Sequence, residues 1–386
     1  MDFFDILIAK KLSGGGGITP SGEISITQNG TYDVTEFRSA EVSVSGETTP
    51  EQGFYPTKWV RQQEANVYAD WIQEGVITGL TNIPRGFMAI YDSGTRYGQF
   101  KFLEKVTFEK NVTSIGDSAF YGCESLDFDS LPSTLTSIGS NAFHDCKALS
   151  LTSLPSGLTT IGSSAFSSCT NLRLTSLPSG ITTLGGYTFS QCSKITLNSL
   201  PRGVTGKIGD YCFKECELIT ISELPVGVTE IGQYTFATCN AMTTLHCPSV
   251  TTINNRGIAT CTALTRVTLP VVTSVGTYQF QGCTALTTVD LGNPTSFNRH
   301  AFDGASALNT LIVRKSDAIT TCANINAFAS TPFASGKSGG TLYVPRALIS
   351  AYQSASVWST ILGYPNNSIQ AIEDSIYRSA NWYQTN

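Results

Sequence analysis

Ile161-Gly162-Ser163-Ser164-Ala165-Phe166-Ser167-Ser168-Cys169 is one copy of a phrase that the chain writes nine times with small changes. The apolar residue opening it recurs at Ile115, Ile138, Ile161, Leu184, Ile208, Ile231, Ile253, Val275 and Phe297, a period of 22–24 residues. Such a fixed period is the mark of a solenoid, in which each repeat forms one coil and neighbouring coils stack.

Further apolar marks follow each cysteine. The third and eighth residues on are usually aliphatic, as at Leu172 and Leu177 or Leu264 and Leu269, and a proline often comes next, as at Pro155, Pro178 and Pro270. The unit reads as a short strand, a turn and a second extended segment with its apolar side inward. One unit cannot bury that side alone, so the expected core is shared and continuous.

The phrase V-T-x-I-G-x-x-A-F-x-x-C-x-x-L-x-x-L-x-L-P resembles the BspA-type leucine-rich repeat of bacterial surface proteins, found also in phage and prophage structural proteins, and it covers about half the chain. The segment from Gly340, G-T-L-Y-V-P-R-A-L-I-S-A-Y-Q, is similar to the closing cap of such arrays. The resemblance implies binding or adhesion and brings no catalytic site with it. The expected fold is a leucine-rich repeat solenoid of short strands plus turns, about nine repeats of 22–24 residues, with a small N-terminal β module and a helical C-terminal cap.

Two columns of the repeat carry structural expectations. A glycine follows the opening residue at 116, 139, 162, 185, 209, 232 and 276, and Asn254 and Asn298 replace it. Asparagine tolerates positive φ best after glycine, so this column is expected in a left-handed turn. Cys123, Cys146, Cys169, Cys192, Cys216, Cys239, Cys261 and Cys283 share one position, which Ala305 fills in the ninth repeat. Exchange with alanine marks them as small core residues rather than half-cystines, and parallel Cβ vectors in one column suit bridging poorly. Cys212, Cys247 and Cys322 show no metal-ligand spacing.

Composition narrows the partners. Charged residues are only 14 % and the net charge is -5, against about a quarter charged in ordinary domains. Without a basic cluster, neither nucleic acid nor an anionic membrane is the expected partner, and no stretch has the eighteen or so apolar residues of a membrane span. No cofactor is implied. The three histidines fall at different repeat positions, and no phosphate loop or nucleophile motif appears.

Outside the repeats the chain divides as follows: 1–18, a docking segment with a Gly-rich hinge; 19–47, a small β module; 48–100, a region capping the first repeat; 101–313, the solenoid; 314–386, the C-terminal cap and tail. Met1 to Leu12 puts acids first and lysines last, the reverse of a secretory signal, and with Ser13–Gly17 it resembles the openings of phage tail-region proteins. Alternation in 23–27 and 41–45, with Asn29-Gly30 as a turn, makes the β module. Mixed helical spacing predicts a helix over 57–75, and another from Pro345 to Ile361. The tail Ile376-Tyr377-Arg378 to Tyr383 suits docking on the cap and homo-oligomer assembly equally.

Recognition has two candidate columns, because stacking spaces equivalent side chains by about 4.8 Å. Two residues before the phenylalanine the column reads Ser118, Asn141, Ser164, Tyr187, Tyr211, Tyr234, Arg256, Tyr278 and His300, an aromatic stripe with Arg and His of the kind sugars or protein hot spots use. Seven residues after the cysteine, Ser130, Ser153, Ser176 and Ser199 give way to Glu223, His246, Thr268 and Asp290. The ligand-binding candidates are therefore Tyr187, Tyr211, Tyr234, Arg256, Tyr278, His300, Glu223, His246 and Asp290. The expected function is non-enzymatic recognition, as a phage tail fibre or receptor-binding virion protein taking a host-surface glycan or protein receptor and meeting other virion proteins through its N-terminus. A bacterial cell-surface adhesin and a purely structural assembly subunit are the alternatives.

Overall fold

The computed structural model describes residues 103–108, 112–322, 325–334, 337–362 and 367–379, together with short strands and Arg85 upstream of residue 100. The expected docking segment and hinge lie outside the described residues.

The repeats form a parallel β-solenoid of about nine coils. The V-T-x-I segment of each coil lies on one side of the molecule. Asn82–Ile83, Ser114–Ile115, Ser137–Ile138 and Thr160–Ile161 pair in parallel there. A bridge from Leu184 to Ile208 carries the pairing on to a six-stranded sheet running from Gly206–Ile208 to Thr321–Cys322. The second extended segment becomes a strand only late, from Thr244–His246 through Arg266–Leu269, Thr288–Leu291, Thr310–Val313 and Thr341–Val344 to Ser368–Ala371. Earlier coils carry Leu-Thr-Ser-Leu-Pro there, later ones Arg-Val-Thr-Leu or Thr-Leu-Ile-Val, and the β-branched residues suit a pleated surface better.

The core is a set of ladders. Phe120, Phe143, Phe166, Phe189, Phe213 and Phe236 stack at 5.4–5.7 Å with planes within 13° of parallel. Ile258 interrupts the series, which resumes at Phe280, Phe302 and Phe328. Beside it runs the expected column of buried thiols, with no disulfide among the described cysteines. From Cys146 to Cys283 each thiol of the column also closes a hydrogen bond to an earlier coil: Cys146 Sγ donates to Phe120 O (3.2 Å), Cys169 Sγ to Phe143 O (3.0 Å) and Cys192 Sγ to Phe166 O (3.0 Å).

The glycine column does not lie in a left-handed turn. Among the described residues, glycines 116, 139, 162, 185, 209, 232 and 276 all lack positive φ. They are glycines because adjacent coils touch there. A Cβ on Gly162 would sit 2.4 Å from Ser140 N, and one on Gly209 2.3 Å from Gly185 C. Where asparagine replaces glycine, its amide turns back to the previous coil, Asn254 Nδ2 donating to Ile231 O (3.2 Å) and Asn298 Nδ2 to Val275 O (2.9 Å). Gly209→Ala is accordingly expected to cost about 1–3 kcal/mol, by overpacking rather than by backbone strain. An unchanged urea midpoint for that variant would refute the contact argument.

The chain ends are closed differently from expectation in one place. Pro56–Val60 and Glu74–Ile77 are strands at the two ends of the span read as a helix, and 61–73 lie outside the described residues. Thr57, Trp59 and Val60 are good strand formers, and pairing with Gly30–Asp33 overrides their helical spacing. Ile24–Ile26, Val42–Val44, Glu74–Ile77 and Lys105–Phe108 pair in parallel as one sheet in that order, while Ala89–Asp92 and Thr95–Gln99 form an antiparallel pair. At the other end the expected helix is present but broken at Ala355 into Ile349–Ser354 and Ser356–Leu362. Tyr352 and Trp358 are fully buried, Trp358 packing on Phe297 and Phe328 at 6.0 and 5.7 Å and donating Nε1–H to Thr320 O (2.8 Å).

Candidate functional site

Left-handed backbone does occur in every coil, two positions beyond the glycine. Ser118, Asn141, Ser164, Tyr187, Tyr211, Tyr234, Arg256, Tyr278 and His300 all have φ between 55° and 60°. This is the first candidate column. A second left-handed residue precedes each cysteine, as at Asp145, Ser168, Gln191 and Glu215. Together they bend the chain so that alternate N–H groups reach the next coil: Tyr187 N to Asp210 O (2.8 Å), Phe189 N to Cys212 O (2.9 Å) and Gln191 N to Lys214 O (2.7 Å). The turn's backbone is satisfied by its neighbour, which offsets the roughly 1 kcal/mol or more that a non-glycine residue costs in this region.

Because the column repeats one backbone geometry, its side chains superpose. Tyr187 stacks on Tyr211 at 4.5 Å and 8°, and Tyr211 on Tyr234 at 4.9 Å and 15°. Arg256 continues the series as a flat cation, its guanidinium carbon 5.5 Å from the Tyr234 ring centre and 4.4 Å from that of Tyr278, with Nη1–H donated to the Tyr234 hydroxyl. Tyr278 and His300 stack with parallel planes at 4.9 Å, and His300 Nδ1 meets Asp303 Oδ2 at 3.2 Å. The structure thus brings Tyr187, Tyr211, Tyr234, Arg256, Tyr278 and His300 into one continuous stack. Burial, with the neighbouring phenols Tyr187 and Tyr234, pushes the Tyr211 hydroxyl above its ordinary range, so Tyr211 stays uncharged near neutral pH. Within it the ring faces are turned to one another, and what faces outward is a rim of ring edges, hydroxyls and guanidinium N–H groups. The exposed end is Tyr187, at 43 %.

The second column is in register but divided. Glu223 bridges to His246, and His246, Thr268, Asp290, Ile312 and Tyr343 lie side by side on adjacent strands. Glu223 is exposed and His246 half-buried. Burial lowers the His246 pKa, while Glu223 and Asp290 pull it up. Asp290 is fully buried and accepts a two-pronged contact from Arg314, Nε at 2.8 Å and Nη2 at 2.7 Å. Arg314 Nη2 also reaches Ser379 O at 3.4 Å, Tyr377 sits edge-on to Tyr343 at 4.8 Å, and Ile372 packs with Ile312. The segment 372–379 therefore lies over the C-terminal end of this column. Arg314, which sequence reasoning missed as the partner of Asp290, lies 24 residues beyond it, one repeat on, and that spacing was the available signal.

The family model described as the BspA type leucine rich repeat region matches residues 97–216 and 206–332, with 6 copies. No curated protein matches the chain. Among solved structures, the chain is similar to a leucine rich cell surface protein of Faecalibacterium prausnitzii A2-165, at 20 % identity over 87 % of this chain and 92 % of that one, TM-score 0.45. It is similar to a leucine-rich repeat protein of Bacteroides ovatus, at 20 % identity over 79 % and 87 % with TM-score 0.42. It is also similar to the pneumococcal vaccine antigen PcpA, at 18 % identity over 90 % and 89 % with TM-score 0.46.

Proposed function

The chain belongs to the BspA-type leucine-rich repeat family, and from that premise we propose that it is a non-enzymatic recognition protein whose binding surface is the stacked column from Tyr187 to His300. Family membership points to protein interaction or adhesion, and it is the stack that supports a particular surface. Long side chains normally lose rotamer freedom on binding a partner. Here each ring is already held by its neighbours at 4.5–4.9 Å, so a row of donors and acceptors is presented with that cost largely met by the fold. Glu223, His246 and Asp290 belong to the proposal as a secondary column, Glu223 and His246 as its accessible members.

The proposed division of the chain follows from this. Residues 101–313 carry recognition, 1–18 and 19–47 attach the protein to its support, 48–100 cover the first repeat and 314–386 close the last. The proposed support is a virion, on the resemblance of residues 1–17 to phage tail-region openings, with a host-surface glycan or protein as receptor. The bacterial cell surface is the alternative setting.

Serine occupies the same left-handed position at Ser118 and Ser164, so a Tyr211→Ser, Tyr234→Ser, Tyr278→Ser variant keeps a backbone the fold already uses. The labelled full chain is expected to bind bacterial cells, and this variant to bind at least about ten-fold more weakly, from the loss of aromatic contacts. Equal binding by the folded variant would remove the column from the reading. Absence of binding by the wild type would leave the assembly-subunit role in its place.

A further inference from the structure

The stack stops at Tyr187, and what lies beyond it is a missing rung. The next two residues of the column are Ser164 and Asn141, in the same left-handed conformation (φ 56° and 55°, against 57° for Tyr187). Ser164 is too short to cover the ring it adjoins, which agrees with Tyr187 being the column's large exposed hydrophobic residue. One face of Tyr187 stacks on Tyr211; the opposite face is open over Ser164. Asn141 stands one coil further, roughly two strand spacings or ~10 Å from the Tyr187 position. The opening is thus one ring thick, with a phenol as one wall, a primary amide as the other and a serine hydroxyl as its floor. Among the described residues, the Asn141 amide and the Ser164 hydroxyl make no side-chain hydrogen bond.

We propose that this gap receives the terminal ring of a neutral saccharide, which completes the stack by lying on the open face of Tyr187 at the depth of a natural rung, 4.5 Å in the Tyr187–Tyr211 pair. The inference rests on the recognition reading above and adds the ligand class and the place where it binds. A sugar ring has an apolar C–H face for the phenol and hydroxyls around its edge for Asn141 and Ser164, so closing the gap leaves no polar group stranded. A phenylalanine or leucine from a protein partner would fill the space equally but desolvate the amide and hydroxyl without replacing their hydrogen bonds, a loss that makes polar sites reject apolar ligands. The charge pattern points the same way. Ser140, Asn141, Ser163 and Ser164 are all uncharged, and Asp117, in the coil before Asn141, already accepts from Ser140 N (2.7 Å). An acidic sugar would find no free cation there: Lys214, which acts on Tyr211, is paired with Glu215 (2.6 Å), and Arg256 lies three rungs from Tyr187.

The decisive variant fills the gap from within. Tyr is native to this position at 187, 211, 234 and 278 with φ 55–60°, so Ser164→Tyr should fold and extend the stack by one ring. The full-length protein would be applied to an array of neutral oligosaccharides ending in glucose, galactose or N-acetylglucosamine, beside Ser164→Tyr, Tyr187→Ala and the Tyr211, Tyr234, Tyr278 triple serine variant. The wild type is expected to bind a subset of these glycans, and Ser164→Tyr and Tyr187→Ala to lose about ten-fold or more, the worth of one ring contact. Glycan binding unaltered by Ser164→Tyr overturns the inference, whatever the triple variant does. A wild type that binds cells or a protein receptor but no neutral glycan also overturns it, while the recognition reading survives. A wild type that binds nothing at all overturns both.

Discussion

The protein is expected to lose much of its stability between pH 8 and pH 10 without any change in its surface charge pairs. The cause is the thiol column. Burial pushes the thiols of Cys146, Cys169, Cys192, Cys216, Cys239 and Cys247 well up, and that of Cys212 to about 12. Cys283 is raised first by its hydrogen bond with Cys261 and then by burial. In the unfolded chain each is an ordinary thiol, ionising near pH 8.5. Because the folded values lie above the unfolded ones, the thiols do not disfavour folding below about pH 8.5. As pH rises beyond that, the unfolded state releases protons that the folded state keeps, and stability falls until the folded values are reached. At pH 10 the difference is about 2 kcal/mol per thiol, summed over whichever coils unfold together. The buried Tyr352 hydroxyl, also raised by burial, adds to the same trend near pH 10.

Two measurements check this. The urea midpoint should be nearly level from pH 6 to 8 and drop steeply by pH 10, and a Cys169→Ala, Cys192→Ala, Cys216→Ala variant should show a shallower drop. Thiolate absorbance near 240 nm should rise only as the protein unfolds. Thiols titrating at pH 8.5 in the folded protein would show that the column is not the dry interior described here.

What the sequence disclosed, and what it withheld, follows from how each property is encoded. Period, core columns and the thiol ladder were legible because an inward position admits few residue types: Ala305 in the cysteine column already showed that the site takes a small apolar group. Backbone handedness was not. Glycine at 162 and 209 looked like a conformational choice and is a choice of size, while the left-handed residues include Tyr and Arg, types that carry no such preference of their own. Coil-to-coil hydrogen bonds hold them there, and a single repeat gives no hint of those bonds. The recognition columns show the same limit. That Tyr187, Tyr211 and Tyr234 share a column is a matter of counting. That their faces are mutually covered, leaving one open at Tyr187, depends on side-chain rotation set by neighbours in space. Likewise Asp290 reads as an outward carboxylate by alternation, and it is buried because Arg314 and the segment 372–379 close over it.

The phenylalanine ladder carries the second large effect. Phe213 is fully buried between Phe189 at 5.7 Å and Phe236 at 5.6 Å. Replacing it with alanine removes both stacking contacts and leaves a cavity that rigid neighbouring coils cannot close, for an expected loss of about 3–5 kcal/mol. In a solenoid that loss is felt as a weakened junction, because each coil is stabilised only by the coils beside it. Thermal unfolding of Phe213→Ala should therefore separate into two steps, with amide exchange accelerated first in the coils around 189–236 while the Trp358 cap stays protected. The chain itself supplies the milder comparison, since Ile258 stands in the ladder position of the seventh coil. Phe213→Ile should lose clearly less than Phe213→Ala and keep a single transition. If both variants unfold in one step with equal losses, the stability of the array is global rather than passed from coil to coil, and the stacked rings are packing like any other.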